Sequence, residues 1–568
     1  MARRRSRKRH NSSGQQDRAV KRPAAAGLAS ASAMQKLRGY LSTAASTGSA
    51  MRREADLEDD DLLDEGEDAN SEDGTEVGEE SGGDKVKVSA ADWRSAAYSR
   101  HFDASWDEAK LDAAQASLRG SEAALRGVGR VEVTAPPDRP PVPEQPAGAS
   151  DDEALAAAGV LPPLRRSYAA AVAEHGGKLA ATGRSVLHAA SSYRDVYLPC
   201  AAPASYGDEG GGLMRALALH TLQHVLVVTR QRLRAAQKGT SPADQGFTRP
   251  TVLVLLPFRS HALAFVKALL ELLPDAIEQA TEPPGPLPLR LNLRPTTPPS
   301  GPTGNTDDCF RCGLRLSRKS AKLYAAFYKA DLVVASPLGL RLGVGGAGEA
   351  RADSDWLSSI EVLLLLHADV FLMQNWAHVA RVLSLLNATP SETRDTDFSR
   401  VRPYALDGLS GRLRQTLLLA AHEAPELRAL AMRSCRNASG RVAALPEHGV
   451  GCLSAVPSGT RQLFLLRDED VPFVGLSEYS EPPDVARARE LEGLLVYTER
   501  AHFFRRHLLK GDAQLAFYGL PSYAHFYPEL AQMLCAAPKY DLQPLRRLVG
   551  DARAARMVAD RETSFLFQ

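Results

Sequence analysis

Four short apolar runs constrain this chain more than any other feature: TVLVLL at 251–256, DLVVA at 331–335, IEVLLLL at 360–366 and QTLLL at 415–419. Each is too short for an ordinary helix and apolar at successive positions, so a strand built from it must be covered on both faces. Pro257 stops the first and Ser336-Pro337 the second. Stretches with helical spacing, 213–233 and 261–273, lie between or beside them. This alternation predicts an α/β fold with a mostly parallel sheet and helices on both faces. GLLVY at 493–497 and AQLAFY at 513–518 repeat the texture and predict a second lobe. The Pro- and Gly-rich segments 280–305 and 342–356 read as loops inserted in the first lobe.

Ahead of this pattern the composition changes. MARRRSRKRH is a basic cluster, and 54–84 is an acidic block, EADLEDDDLLDEGEDANSEDGTEVGEESGGD. Such a density of like charge repels itself and buries too little apolar area to offset ordering entropy. Residues 1–90 are therefore expected to be disordered, with 91–126 a helical docking segment and APPDRPPVPEQPAG a Pro-rich linker. The basic start lacks the apolar core of a secretory signal, no apolar run is long enough to span a bilayer, and six cysteines in 568 residues are too few for a disulfide scaffold. An intracellular soluble protein is expected. Lys and Arg number 69 against 68 Asp and Glu, so no global charge argues for nucleic acid. The basic-then-acidic order of the tail points instead to a nuclear, nucleolar address.

The strand ends carry motifs. Pro257-Phe258-Arg259-Ser260-His261-Ala262, Ser336-Pro337-Leu338-Gly339-Leu340-Arg341, Leu366-His367-Ala368-Asp369, Arg414 through His422, and Leu495 through Arg500 occur in that order. In order and placing they resemble the landmarks of superfamily-two RNA helicases of the DEAD-box kind. The resemblance implies two RecA-like parallel-sheet lobes, a degenerate helicase-like core. The expected division is a tail over 1–150, a first lobe over 185–437, a linker over 438–460 and a second lobe over 461–568.

The chemistry of a helicase is missing at these landmarks. ATP hydrolysis needs a Gly-x-x-x-x-Gly-Lys-Ser/Thr loop for the phosphates, carboxylates for magnesium and water, and arginines for the transferring phosphate. The single Gly-Lys pair, Gly177-Lys178, has Val172 where the first glycine belongs. Leu366 and His367 stand at the carboxylate positions, Ala420 and His422 at the hydroxyl positions, and no arginine lies between Arg506 and Arg546. No cofactor, metal or catalytic residue is expected.

A narrower resemblance rests on DQGFTRPTVLVLLPFRSHA (244–262), GNTDDCFRCGL (304–314), LYAAFYKADLVVASPLGLR (323–341), SSIEVLLLLHADVFLMQNWAHV (358–379), SEYSEPPDVARAR (477–489) and YTERAHFFRRHLLKG (497–511). These segments resemble the digestive organ expansion factor family, whose members are U3 small nucleolar RNA-associated proteins. SRHF at 99–102 fits as well. The resemblance implies a nucleolar, helicase-like protein without helicase activity, acting in the small-subunit processome on the precursor of small-subunit ribosomal RNA. Its implied partners are that RNA, the U3 small nucleolar ribonucleoprotein and other processome proteins. The second lobe is abridged between Phe464 and Phe473; either the gene model drops an exon near codons 465–475, the favoured explanation, or the lobe is incomplete and poorly stable.

Other motifs have plainer readings. His220 and His224 sit four apart on a helix without a third zinc ligand and read as satisfied helix histidines. Cys309-x-x-Cys312 is a lone pair of loop thiols, and Gly343-x-Gly345-x-x-Gly348 leads into no apolar helix. Aromatics interleaved with bases suit single-stranded RNA, so Arg500, Phe503, Phe504, Arg505, Arg506 and Lys510 are candidate contacts. Arg259 and Arg341, at strand ends where open α/β sheets bind ligands, join them. Trp376 and Tyr328 read as core or interface aromatics. The expected function is a pseudo-helicase that binds RNA without turnover. An RNA-dependent ATPase with unorthodox residues and a pure protein scaffold are the alternatives.

Overall fold

The structure, a computed structural model, describes residues 95–446 except 138–149, 177, 202–205, 207–211, 239–242, 275–276, 281–306, 318–319, 345–352, 393 and 395. Beyond these it describes 462–467, 498–505, 515–517, 521–530, 533–538, 542–559 and 564–567. The charged tail to residue 94, most of the 280–305 segment and the expected strand at 493–497 lie outside the described residues.

The apolar runs form the centre of an eleven-stranded sheet. Its parallel core runs β11 (Arg441–Ala444), β3 (Asp195–Leu198), β10 (Gln415–Leu419), β9 (Val362–Leu365), β4 (Val252–Leu255) and β8 (Leu332–Ala335). Side chains of a strand alternate between faces, and the leucines and valines here fill both. Val252 and Val254 enter one buried cluster while Leu253 and Leu255 enter the other, and Leu417 and Leu419 are divided from Leu418 in the same way. Helices Leu213–Lys238 and Arg259–Glu271 cover the first face, and Trp376–Leu385 covers the second. The expected α/β lobe with helices on both faces is what the chain forms.

Both sheet edges depart from the parallel expectation. β6 (Arg311–Leu316) and β7 (Ser320–Leu323) add antiparallel strands beside β8 at one edge, and β5 (Glu278–Ala280) follows β7. At the other edge, β1 (Arg119–Leu125) and β2 (Gly129–Ala135) form an antiparallel hairpin that pairs with β11.

That hairpin corrects the expectation that tail and linker extend to residue 150. Helix Ala96–Phe102 buries Tyr98, His101 and Phe102, and helix Glu108–Ser117 buries Leu111. Val131 and Val133 alternate inward from β2. A composition average over GRVEVTA hides this period of two. The expected helical segment over 91–126 also changes character at Arg119, where the strand begins. Likewise β11 falls in the stretch 438–460 expected to be linker, and Leu342–Val344 belong to the Pro337–Val344 helix, not to a loop.

A buried ionic network fastens this N-terminal segment to the body. Arg402 bonds Glu361 Oε1 at 2.7 Å, the Tyr98 hydroxyl at 2.9 Å and Asp103 Oδ1 at 3.1 Å. His224 Nε2 lies 3.2 Å from Glu361 Oε2. Burial alone would raise the Glu361 carboxyl, but Arg402 and the His224 hydrogen bond outweigh it and hold it at about 2. His101 is held between the Leu413 carbonyl at 2.7 Å and Ser439 Oγ at 2.6 Å.

The second lobe has a four-stranded sheet of order β13 (Leu515–Phe517), β14 (Met533–Pro538), β12 (Gln462–Arg467) and β15 (Ser564–Phe567). The first two neighbours are parallel, and β15 runs antiparallel to β12. Helix Glu499–Arg505 carries the aromatic-basic motif of this lobe.

Candidate functional site

In open α/β sheets the ligand crevice lies beyond the carboxyl ends of the strands. Here β3, β9 and β4 deliver Tyr206, His367 and His261 to that place. The Tyr206 and His367 rings stack with centroids 3.9 Å apart, and His367 and His261 stack at 4.1 Å. The Tyr206 hydroxyl accepts the His367 backbone N–H at 3.3 Å. His367 sits in a left-handed turn with φ of 53°, which a non-glycine residue adopts only when its surroundings compel it. Burial depresses the His261 imidazole to about 4 and the His367 imidazole well below its ordinary value, so both are neutral at pH 7. Leu366 is wholly buried beneath them. Leu366 stands where a nucleotide-binding fold keeps its magnesium carboxylate, and three uncharged rings stack at the second carboxylate position, His367.

The phosphate side of the crevice is equally altered, and here the sequence held a signal that spacing alone missed. In a phosphate-binding fold the glycine loop connects a strand to the helix after it. Lys178 precedes β3 and the helix before it, so it is not in that connection. The connection from β3 to helix Leu213–Lys238 reads Gly207-Asp208-Glu209-Gly210-Gly211-Gly212-Leu213-Met214, the glycine spacing with leucine for lysine and methionine for the hydroxyl residue. Gly212 has φ of +65°, and a Cβ there would meet Leu179 Cδ2 at 3.0 Å. Leu213 is buried completely and Met214 nearly so, both in the core cluster. No ammonium or hydroxyl side chain stands at these two positions to meet a phosphate or its cation. The residues present do not fit a nucleotide and magnesium.

Asp369 has a structural use. Its Oδ1 accepts the Ala421 N–H at 2.8 Å, and its Oδ2 accepts the Tyr523 hydroxyl of the second lobe at 2.7 Å. Burial raises its carboxyl, and these two bonds oppose the rise. Tyr523 in turn donates its backbone N–H to Glu499 Oε1 at 3.0 Å and meets the His422 ring edge-on. Around it Phe258 and Val370 of the first lobe pack with Phe503, Tyr523 and Phe526 of the second. Among the described residues, this apolar cluster and the Asp369–Tyr523 hydrogen bond join the lobes.

The expected RNA contacts fall into three groups. Phe503 is corrected: it is 7% exposed in the interlobe cluster, and its ring has no free face on which a base could stack. An aromatic interleaved with bases suits RNA by composition, but a lobe interface is not visible in a pattern. Phe504 is half-buried, edge-on to Phe503 at 5.0 Å. Arg259 and Arg500 act on the loop Asp307–Asp308, and Arg341 acts on His378. Arg259 Nε is 2.9 Å from Asp307 Oδ2; burial, then the Arg341 charge, depresses the His378 imidazole, and burial raises the Asp308 carboxyl while His378 and Arg500 oppose the rise. Arg505 ends its helix, while Arg506 and Lys510 lie outside the described residues, as do Gly345 and Gly348.

The other motifs are structural. His220 Nε2 meets Gln415 Oε1 at 2.7 Å and His224 Nδ1 meets the Tyr193 hydroxyl at 3.1 Å. Cys309 is exposed and Cys312 is buried on β6, where burial pushes its thiol up to about 11. Trp376 packs on the second-face core, and Tyr328 bonds Asp353. Among the described residues, no cluster of three or more His, Cys, Asp or Glu side chains is arranged to hold a metal, and no helix is long and apolar enough to cross a membrane.

Two family models match the chain: "UTP25, NTP hydrolase-like domain" over 193–283 and 300–442, and "Utp25, C-terminal domain" over 460–567. The U3 small nucleolar RNA-associated protein 25 of Podospora anserina is 32% identical over 449 residues, covering 62% of this chain and 68% of the relative. The chain belongs to the UTP25 family. The UTP25 homologue of Xenopus tropicalis is 32% identical over 474 residues, covering 68% of this chain, and the human homologue is 32% identical over 469 residues, covering 66%. This UTP25 chain spans 61% and 62% of those two relatives. Among solved structures, the yeast DEAD-box splicing factor Prp28 matches at 13% identity with a TM-score of 0.25, covering 63% of this chain and 65% of that one, too slight a likeness to carry an argument.

Proposed function

We propose that this UTP25 member is a non-catalytic, helicase-shaped component of ribosome biogenesis. It binds precursor ribosomal RNA and the U3 small nucleolar ribonucleoprotein within the small-subunit processome, in the nucleolus. The names of its relatives, U3 small nucleolar RNA-associated proteins, support that setting. The observation that carries the non-catalytic reading is the neutral Tyr206–His367–His261 stack at the second carboxylate position, next to buried Leu366 at the metal one. Hydrolysis of a nucleoside triphosphate depends on charge-stabilising groups, and losing even one commonly costs orders of magnitude in rate. Here the lysine, hydroxyl and metal carboxylate positions are Leu213, Met214 and Leu366, with His367 at the second carboxylate.

The body we propose consists of a first lobe beginning near residue 95 and a second lobe from about residue 460, behind a charged tail. Arg341, Arg500, Arg505, Arg506 and Lys510, with Arg259, are its RNA-backbone contacts, neutralising phosphates as basic side chains do. The test is ultraviolet crosslinking of the full chain to U3 RNA and its precursor target in cells. Reversing Arg505 and Arg506 to Glu is expected to reduce the crosslinks several-fold. Undiminished crosslinks would remove those contacts, and the absence of any RNA crosslink in the unaltered protein would leave a protein scaffold.

A further inference from the structure

One of the arginines at the strand ends, Arg259, is already occupied by the chain itself. Arg259 opens helix Arg259–Glu271, and the N-terminus of a helix of that length attracts anions through its free N–H groups and dipole. Asp307 fills that position. Its carbonyl accepts the Arg259 N–H at 3.0 Å, and its carboxylate meets Arg259 Nε at 2.9 Å. Arg259 Nη2 also donates to the Cys309 carbonyl at 2.6 Å. The second anchor is on the neighbouring strand end. Ser336 N–H donates to the Phe310 carbonyl at 3.0 Å, and Ser336 Oγ accepts from Phe310 N–H at 3.3 Å and Gly339 N–H at 3.0 Å. The close approach requires a glycine, because a Cβ at Gly339 would collide with the Phe310 carbonyl. Loop 307–310 thus lies across the carboxyl ends of β4 and β8 and presents two successive carboxylates. Asp308, half-buried, faces His378 and Arg500 from the Trp376–Leu385 helix and the second lobe.

We propose that Asp307 and Asp308 are a built-in mimic of two consecutive backbone phosphates, and that RNA must displace Asp307 to reach Arg259 and compete with Asp308 for Arg500. The inference rests on the RNA-binding reading above and adds its regulation: this surface is self-masked. Two adjacent acidic side chains, one paired with Arg259 and one beside Arg500, reproduce the charge of a dinucleotide backbone but not its bases. A short or weakly held RNA is therefore excluded, and only one anchored elsewhere on the protein competes successfully.

The experiment compares the full chain with its Asp307→Asn/Asp308→Asn variant, using labelled oligouridine as the probe over a salt titration. Asparagine keeps the shape of each side chain, so the fold is retained and only charge is lost. The variant is expected to bind several-fold tighter, from the released, partly exposed Arg259–Asp307 ion pair and the removed Asp308 charge. Its salt dependence should be steeper, because more phosphates find cations. The gain should disappear when Arg259→Gln is added. Amide exchange supplies a second reading on the unaltered protein: oligouridine should deprotect the Arg259 and Ser336 N–H groups that the loop now caps. Equal affinity of variant and native protein, with Arg341→Glu or Arg500→Glu still weakening both, would overturn the mimic and leave the RNA reading standing. No binding by either protein at low salt would overturn the RNA reading, and the mimic with it.

Discussion

Tyr523→Phe removes one oxygen and tests how the lobes are held together. The hydroxyl donates at 2.7 Å to Asp369 Oδ2, and Tyr523 is 7% exposed while Asp369 is 6% exposed. A hydrogen bond to an ionised partner is worth about 1.5–3 kcal/mol, and the deleted donor leaves a buried carboxylate with one fewer partner. Apolar packing is unchanged, because phenylalanine keeps the ring among Phe258, Phe503 and Phe526. Taking about 2 kcal/mol, the ratio of joined to separated lobes falls about 30-fold. The Asp369 carboxyl, already raised by burial, should rise further once the hydroxyl that opposes the rise is gone. Hydrogen exchange resolved by peptide is the assay. Residues 498–505 and 521–530 should exchange faster in the variant while β4, β9 and β10 stay protected. Unchanged exchange in the second-lobe peptides, together with an unaltered unfolding midpoint, would refute the claim that this bond joins the lobes.

Further outcomes follow from the same contacts. Phe503→Ala should destabilise the lobe interface by about 3–5 kcal/mol, read as early loss of the second lobe in thermal unfolding. Glu361 is held at about 2 in the folded state, below its ordinary value of 4.5, so its stabilising contribution is complete above pH 4.5. That contribution is lost as pH falls from 4.5 toward 2, amounting to about 3 kcal/mol, and Glu361→Gln should flatten this part of a stability–pH curve measured by denaturant titration. His367→Asp puts a carboxylate between two neutral rings and should cost a few kcal/mol in unfolding assays without creating turnover of ATP, since Leu213 and Met214 remain. Gly339→Ala should destabilise the protein by about 1–3 kcal/mol and accelerate amide exchange at 307–310, through its collision with the Phe310 carbonyl.

How far the chain could be read beforehand depended on the range of the interaction involved. The runs 251–256, 331–335, 360–366 and 415–419 declare themselves locally, because a strand buried on both faces must be apolar throughout, and β10 appears at the predicted residues. The edge hairpin Arg119–Leu125 and Gly129–Ala135 did not, since one face is polar and its partner strand is β11, more than three hundred residues away. Missing catalytic groups were legible at Leu366 and His367, where a strand end marks the position. The glycine loop carries no Gly-Lys pair, since Leu213 stands in place of the lysine; the signal that marks it is DVYL followed by glycines and a helix. Phe503 shows the limit of composition. An aromatic among arginines suits RNA, yet Phe258 and Tyr523 claim its ring, and neither is near it in sequence.

The central claim is that the crevice above β3, β4 and β9 has no means of holding a nucleoside triphosphate. Titration of the full chain with fluorescent ATP and magnesium, with and without RNA, measures this directly. The account predicts no saturable binding and no released phosphate above a heat-treated control. Saturable, magnesium-dependent binding that His367→Ala or Tyr206→Ala abolishes would contradict it.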